Sequence, residues 1–120
     1  MSFFLSFLLV MQMKDYLPLI PVRNPKVELK RVEGKFCLMI PMDSPFDFLA
    51  RMLHGDYRRL ELDEVGAYVW QLCDGRRNVE EIGRKLREKF GDEVEPLYER
   101  LVTFLLQLAK RGLITFKEPE

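Results

Sequence analysis

The sequence predicts an α+β domain in which a three-stranded antiparallel sheet precedes a three-helix bundle, the outline of a winged helix-turn-helix. Three observations carry this. Residues 26–41 alternate and then run apolar on either side of a Glu-Gly pair, the pattern of a β-hairpin. Residues 57–62 alternate again, as a third strand would. Residues 63–112 hold three stretches with apolar positions at helical spacing, each opened by a capping residue and closed by a glycine.

The elements follow in order. Residues 1–13 form an apolar N-terminal extension, with Phe3, Phe4, Leu5, Phe7, Leu8, Leu9 and Val10 broken only by Ser6. The run is far shorter than the roughly 20 residues of a bilayer-spanning helix. It lacks the basic flank and small-residue cleavage site of a secretory signal. It reads as sequence ahead of a start at Met11 or Met13, as a segment packed against the domain, or as a contact for another copy of the chain. Residues 14–25 carry Pro18, Pro21 and Pro25, which predict an extended arm without helix. The arm's Tyr16, Leu17, Leu19, Ile20 and Val22 suit it to lying along the domain surface. The main domain then spans 26–117.

Within that domain Val27, Leu29 and Arg31 alternate with Glu28 and Lys30, Glu33-Gly34 makes the turn, and Phe36 to Ile40 form a more buried second strand. Phe46, Leu49, Ala50 and Leu53 predict a short extra helix between strands two and three. Tyr57 to Leu62 is the third strand. Asp63 caps the first main helix, which buries Val65, Val69, Trp70, Leu72 and Cys73 and stops at Gly75. Asn78 caps the second, with Glu80 and Glu81 where the helix dipole favours them. Its inner face is Val79, Ile82, Leu86 and Phe90, and Gly91 ends it. The third is expected to start near Asp92 or Glu93, with Pro96 inside its first turn, and to end at Gly112. Leu97, Leu101, Phe104, Leu105 and Leu108 make one face, which Val102, Leu106 and Ala109 widen. Leu113, Ile114 and Phe116 finish as a short extended tail. Gly66 and Gly83 sit inside helices, at a cost of ~1 kcal/mol each against alanine, which points to close approach of another backbone.

At 120 residues the chain is long enough for one domain with a real core. Nineteen basic residues balance nineteen acidic ones, so charge gives no reason to expect nucleic acid or an anionic membrane as partner. Cys37 and Cys73 lack metal-ligand or CxxC spacing and read as buried reduced thiols, which suits a cytoplasmic protein. The single histidine, His54, has no second ligand to share a metal. Ser2, Ser6 and Ser44 have no base in view, and no glycine-rich loop offers a phosphate cradle. No cofactor and no catalytic residue is expected. Winged-helix DNA binding remains an alternative, with Arg76 and Arg77 in its favour. Against it, Asp92, Glu93, Glu95 and Glu99 would face phosphates from the start of the recognition helix. A structural or oligomerisation role through the N-terminal run is a third reading.

Leu62-Asp63, Gly66, Trp70, Asp74-Gly75, Val79-Glu80-Glu81-Ile82, Phe90-Gly91 and Gly112-Leu113-Ile114 together resemble the PqqD-like family. The Ile20 to Pro25 and Glu95 to Leu101 segments resemble a bacterial subgroup of it. The resemblance implies a winged-helix-like peptide chaperone, or RiPP recognition element. Such proteins hold the leader of a ribosomal precursor peptide and present it to a modifying enzyme, often a radical SAM protein. By the same resemblance the leader adds as a strand beside Tyr57, Arg58, Arg59, Leu60, Glu61 and Leu62. It rests against Leu101, Phe104, Leu105, Leu108 and Arg111 of the third helix.

Overall fold

Asn78 opens its helix as its side chain predicts. In the computed structural model, which describes residues 13–41 and 57–119, Asn78 Oδ1 accepts the Glu81 N–H at 2.8 Å and Glu81 Oε1 accepts the Asn78 N–H at 3.1 Å. This reciprocal pair is a capping box. The elements are β1 (Ile20–Arg23), β2 (Glu28–Val32), β3 (Lys35–Pro41), β4 (Tyr57–Leu62), α1 (Glu64–Leu72), α2 (Val79–Phe90), α3 (Leu97–Lys110) and β5 (Ile114–Lys117). The helix expected over 46–53 and nearly all of the N-terminal apolar run lie outside the described residues. The chain divides into two compact units: Pro25–Ala67, and Met1–Asn24 together with Tyr68–Glu120.

The first unit holds the predicted three-stranded antiparallel sheet, in the order β2-β3-β4. Val32 pairs with Lys35, leaving Glu33 and Gly34 as a two-residue loop with φ of 54° and 81°. Both values are positive, as a type I′ hairpin turn requires, and its twist matches that of the strands. On one face of the sheet Leu29, Leu38 and Leu60 lie side by side across the three strands. Leu38 is fully buried. After β4, Asp63 Oδ1 accepts the Gly66 N–H at 2.7 Å and starts α1.

The second unit corrects the sequence reading in two places. The arm is not extended throughout: residues 13–16 form a helical turn, closed by the Leu17 N–H on the Met13 carbonyl. The C-terminal tail is extended as expected, but it is also part of a second sheet. It is β5, and it pairs antiparallel with β1, with Ile20 opposite Lys117 and Arg23 opposite Ile114. The domain therefore has two sheets where one was expected. Sequence pattern missed this pair because each strand is only four residues long and one of them contains proline.

Proline is tolerated in β1 because of its parity. The Pro21 carbonyl accepts from the Gly75 N–H and the Arg23 N–H donates to the Cys73 carbonyl. Odd-numbered backbone groups thus turn toward residues 73–75 and even-numbered ones toward β5, so the missing N–H of Pro21 is not one β5 needs. Further up the arm, the Val79 N–H donates to the Leu19 carbonyl at 2.9 Å and the Glu80 N–H to the Leu17 carbonyl at 3.1 Å. Together with the capping box these satisfy the orphan donors of the first turn of α2.

Two further differences concern α3. Proline biases its predecessor toward extended geometry, and Glu95 is extended at ψ 145°. Helix cannot run through it. Gly91–Val94 form a separate turn of 3₁₀ helix, and Pro96 is the N-cap of α3, not a residue inside its first turn. At the other end the Leu113 N–H reaches the Leu108 carbonyl and the Gly112 N–H the Ala109 carbonyl, with Gly112 at φ 75°. This is a Schellman stop, and it needs the glycine.

The buried set includes Val69, Trp70, Leu72, Cys73, Val79, Ile82, Leu86, Leu101, Leu105 and Leu108, as the periodicity predicts, while Val65 and Phe90 are half-buried. Gly83 meets a side chain where a backbone was expected. A Cβ on it would lie 2.3 Å from Cε1 of Tyr98, whose hydroxyl donates to the Glu80 carbonyl at 3.1 Å.

Two predictions follow from these contacts. Gly83→Ala gains about 1 kcal/mol of helix propensity but loses roughly 1–3 kcal/mol to overpacking, so urea unfolding should show net destabilisation. In a Tyr98→Ala background the same change should stabilise by about 1 kcal/mol. If it destabilises there too, the ring is not what Gly83 accommodates. The other concerns Asp74, whose Oδ1 accepts the Arg76 N–H at 2.9 Å and whose Oδ2 accepts from Arg77 Nη1 at 2.6 Å. Burial alone would raise this carboxyl, but the Arg76 N–H, the Arg77 charge and neighbouring backbone donors outweigh it and hold the pKa below the ordinary value. A depressed folded pKa stabilises above the unfolded value and is lost as pH falls through the folded one. Asp74→Asn should cost roughly 1 kcal/mol at pH 7. The gap from wild type should narrow below about pH 4 in acid titrations of stability.

Candidate functional site

β4 ends its sheet: β3 pairs with it on one side, and no described strand pairs with it on the other. The hairpin turn determines which of its backbone groups are left over. Residues flanking a two-residue loop exchange both hydrogen bonds, so Val32 and Lys35 are a bonded pair and the bonding alternates from there. Lys35, Cys37 and Met39 turn their backbone toward β2, and Phe36, Leu38 and Ile40 toward β4. Their partners on β4 are Leu62, Leu60 and Arg58. The N–H and C=O groups of Tyr57, Arg59 and Glu61 therefore point away from the sheet. Pro41 agrees with this parity, since its missing N–H would point past the end of β2.

Side chains of β4 alternate between the two faces. Arg58, Leu60 and Leu62 share a face with Ile40, Leu38 and Phe36, their cross-strand partners. Leu62 is buried, Leu60 half-buried, and Arg58, Arg59 and Glu61 exposed. Glu61 is 3.5 Å from Lys35 Nζ in an exposed ion pair, which contributes less than about 1 kcal/mol.

The five residues expected on the third helix fall into two groups in α3. Leu101, Leu105 and Leu108 are core residues; Leu105 is 1% exposed and offers no surface to a ligand. Phe104 is half-buried and Arg111 exposed, so these two have surface to offer. Helical spacing placed all of the apolar ones on one face, and burial separates them. Sequence reasoning named the β4 residues but missed which three turn their backbone outward. The signal was available in Glu33-Gly34, because a two-residue turn fixes the register of everything after it.

The chemistry this edge offers is that of main-chain hydrogen bonding. Among the described residues no charged or polar side chain is buried, and no three His, Cys, Asp or Glu side chains gather as a metal site. Cys37 and Cys73 are free thiols, both buried as expected. Burial pushes the Cys73 thiol up to about 12, which keeps it protonated and unreactive at neutral pH. No helix among the described residues is long and apolar enough to cross a membrane.

Residues 51–114 match the family described as coenzyme PQQ synthesis protein D (PqqD), more than half of the chain. The chain belongs to the PqqD family. The match takes in β4 and all three helices, and the β2–β3 hairpin and the arm lie before it. A PqqA binding protein of Rhizobium meliloti (strain 1021) is 32% identical over 57 residues, which cover 48% of this chain. The chain spans 58% of the length of that curated relative. No solved structure matches. The PqqD match thus includes the open strand edge within the most clearly patterned part of the chain.

Proline separates the two kinds of β4 position. Glu61→Pro removes a donor that no described strand uses, whereas Arg58→Pro removes a β3–β4 ladder bond. Chemical unfolding should show Arg58→Pro less stable than Glu61→Pro by at least about 1 kcal/mol. Equal stabilities, or the reverse order, would mean the parity is shifted by one residue.

Proposed function

We propose that this chain is a non-catalytic adaptor that binds a peptide as an added strand along the outer edge of β4. The peptide is the leader of a ribosomally made precursor, and the adaptor presents the rest to a modifying enzyme, a radical SAM protein in the family pattern. The observation that carries this reading is the outward row of backbone groups at Tyr57, Arg59 and Glu61 in a member of the PqqD family. The name of the curated relative, a PqqA binding protein, supports a binding role.

Strand addition suits such a task. Main-chain bonds give affinity that does not depend on side-chain identity, and flanking side chains give selectivity. The peptide is ordered only on binding, which costs conformational entropy and keeps the complex reversible. An adaptor that must hand on its cargo gains from both.

Backbone methylation of the peptide tests the mode of binding. A synthetic precursor leader peptide, N-methylated one residue at a time, should lose about tenfold in affinity at every second position. The positions between should stay within roughly twofold. Amide shifts should centre on β4. Losses without alternation, or shifts that avoid β4, would rule out strand addition. Phe104→Ala and Arg111→Ala measure any share taken by the helix, and unchanged affinity in both confines the site to the strand.

A further inference from the structure

β4 carries two adjacent arginines, Arg58 and Arg59, both exposed, and neither has an ion-pair or hydrogen-bond partner among the described residues. Their cross-strand neighbours on β3 are Ile40 and Met39, which offer a guanidinium nothing. The neighbouring acid, Glu61, is engaged with Lys35. Arg31, by contrast, lies 5.1 Å over the Phe36 ring, so the third arginine of this sheet has found a partner within it. Among the described residues, two positive charges without a partner therefore flank an edge from which backbone donors and acceptors point outward.

We infer that the strand taken up at this edge carries an acidic doublet next to an apolar residue, and that Arg58 and Arg59 select it. The inference rests on the strand-addition reading above and specifies its ligand. An incoming residue opposite Arg58 stands in a non-hydrogen-bonded pair, where side chains approach most closely, and shares the face of Leu60. The next residue, opposite Arg59, stands in a hydrogen-bonded pair on the other face. An acid at each position answers one arginine. The residue opposite Leu60 meets the leucine face of the sheet and is apolar. For an antiparallel strand the order from the N-terminus is apolar, acid, acid. The position opposite Glu61 disfavours an acid, which distinguishes the motif from general attraction to negative charge.

Exposed positive charge on an edge strand has another use: it deters pairing between copies of the same edge. That role requires no preference among peptides, so the two are separable by measurement. The probes are three synthetic ten-residue peptides, identical except for Leu-Glu-Glu, Leu-Gln-Gln or Leu-Lys-Lys at the centre, titrated into the full chain with amide shifts recorded. The Glu peptide should bind about tenfold more tightly than the Gln peptide, the sum of two exposed cross-strand pairs, and the advantage should shrink as salt screens it. The Arg58→Glu/Arg59→Glu variant should reverse the order and prefer the Lys peptide, and Arg58→Gln/Arg59→Gln should abolish the preference. If all three peptides shift β4 with equal affinity, the edge accepts strands but the arginines do not select, and this inference fails alone. If none shifts β4, strand addition itself fails and the inference with it. If the charge-reversed protein keeps the wild-type order, the preference resides elsewhere and the assignment to Arg58 and Arg59 is wrong.

Discussion

The unit formed by the two ends of the chain depends on one constraint: the backbone of residues 17–24 has to be bonded on both sides at once. Leu17 and Leu19 supply carbonyls to the first two donors of α2, Pro21 and Arg23 bond to residues 73–75, and the even-numbered positions pair with β5. Without the arm, Gly75, Val79 and Glu80 would each hold an unmatched N–H, and a buried donor left unmatched costs about 1–3 kcal/mol. The caps of α2 are thus only half local. Asn78 and Glu81 serve each other, and the remaining donors are served by residues sixty or more positions earlier in the numbering.

Strands at sheet ends are treated differently. β1 is bonded along both sides, by β5 and by the Cys73–Gly75 segment. β2 has a free side, but Glu28, Lys30 and Arg31 are all exposed along it, and charge of both signs makes a poor template for another strand. β4 has no described strand on its outer side, and there the adjacent Arg58 and Arg59 have no described partner and are followed by the half-buried Leu60. Edge strands attract unwanted partners, and proteins usually blunt them.

Much of this was legible in the sequence. Helix starts and stops were written in Asp63, Asn78, Gly91 and Gly112, because a cap needs a specific side chain or a positive φ and few residues supply either. The hairpin was legible from Glu33-Gly34 and β4 from its alternation. What was not legible depended on distant partners. The β1–β5 pair joins the two ends of the chain, and no window along the sequence contains both strands. Pro96 was misplaced because a proline after acidic residues suits either the first turn or the cap, and only the extended backbone of Glu95 decides between them. Gly83 signalled crowding correctly, yet nothing local could say that the neighbour was the Tyr98 ring. The bounds of β4 were legible as Tyr57–Leu62, whereas the division of α3 into core leucines and surface residues follows from burial, which periodicity alone does not resolve.

The pairing of Ile20 with Lys117 has a consequence for how the protein is made. Chains are synthesised from the N-terminus, so the arm emerges well before its strand partner. Residues 68–120 cannot complete their unit around the arm until β5 is available, and closing so long a loop is entropically slow. During that interval the hydrophobic segment before β5 stays open to other chains, as with any late-forming long-range contact. The hairpin β2–β3 has no such wait, because its partners are separated by a two-residue turn. On the ribosome, the sheet bearing the open edge can therefore be in place before the helical unit closes.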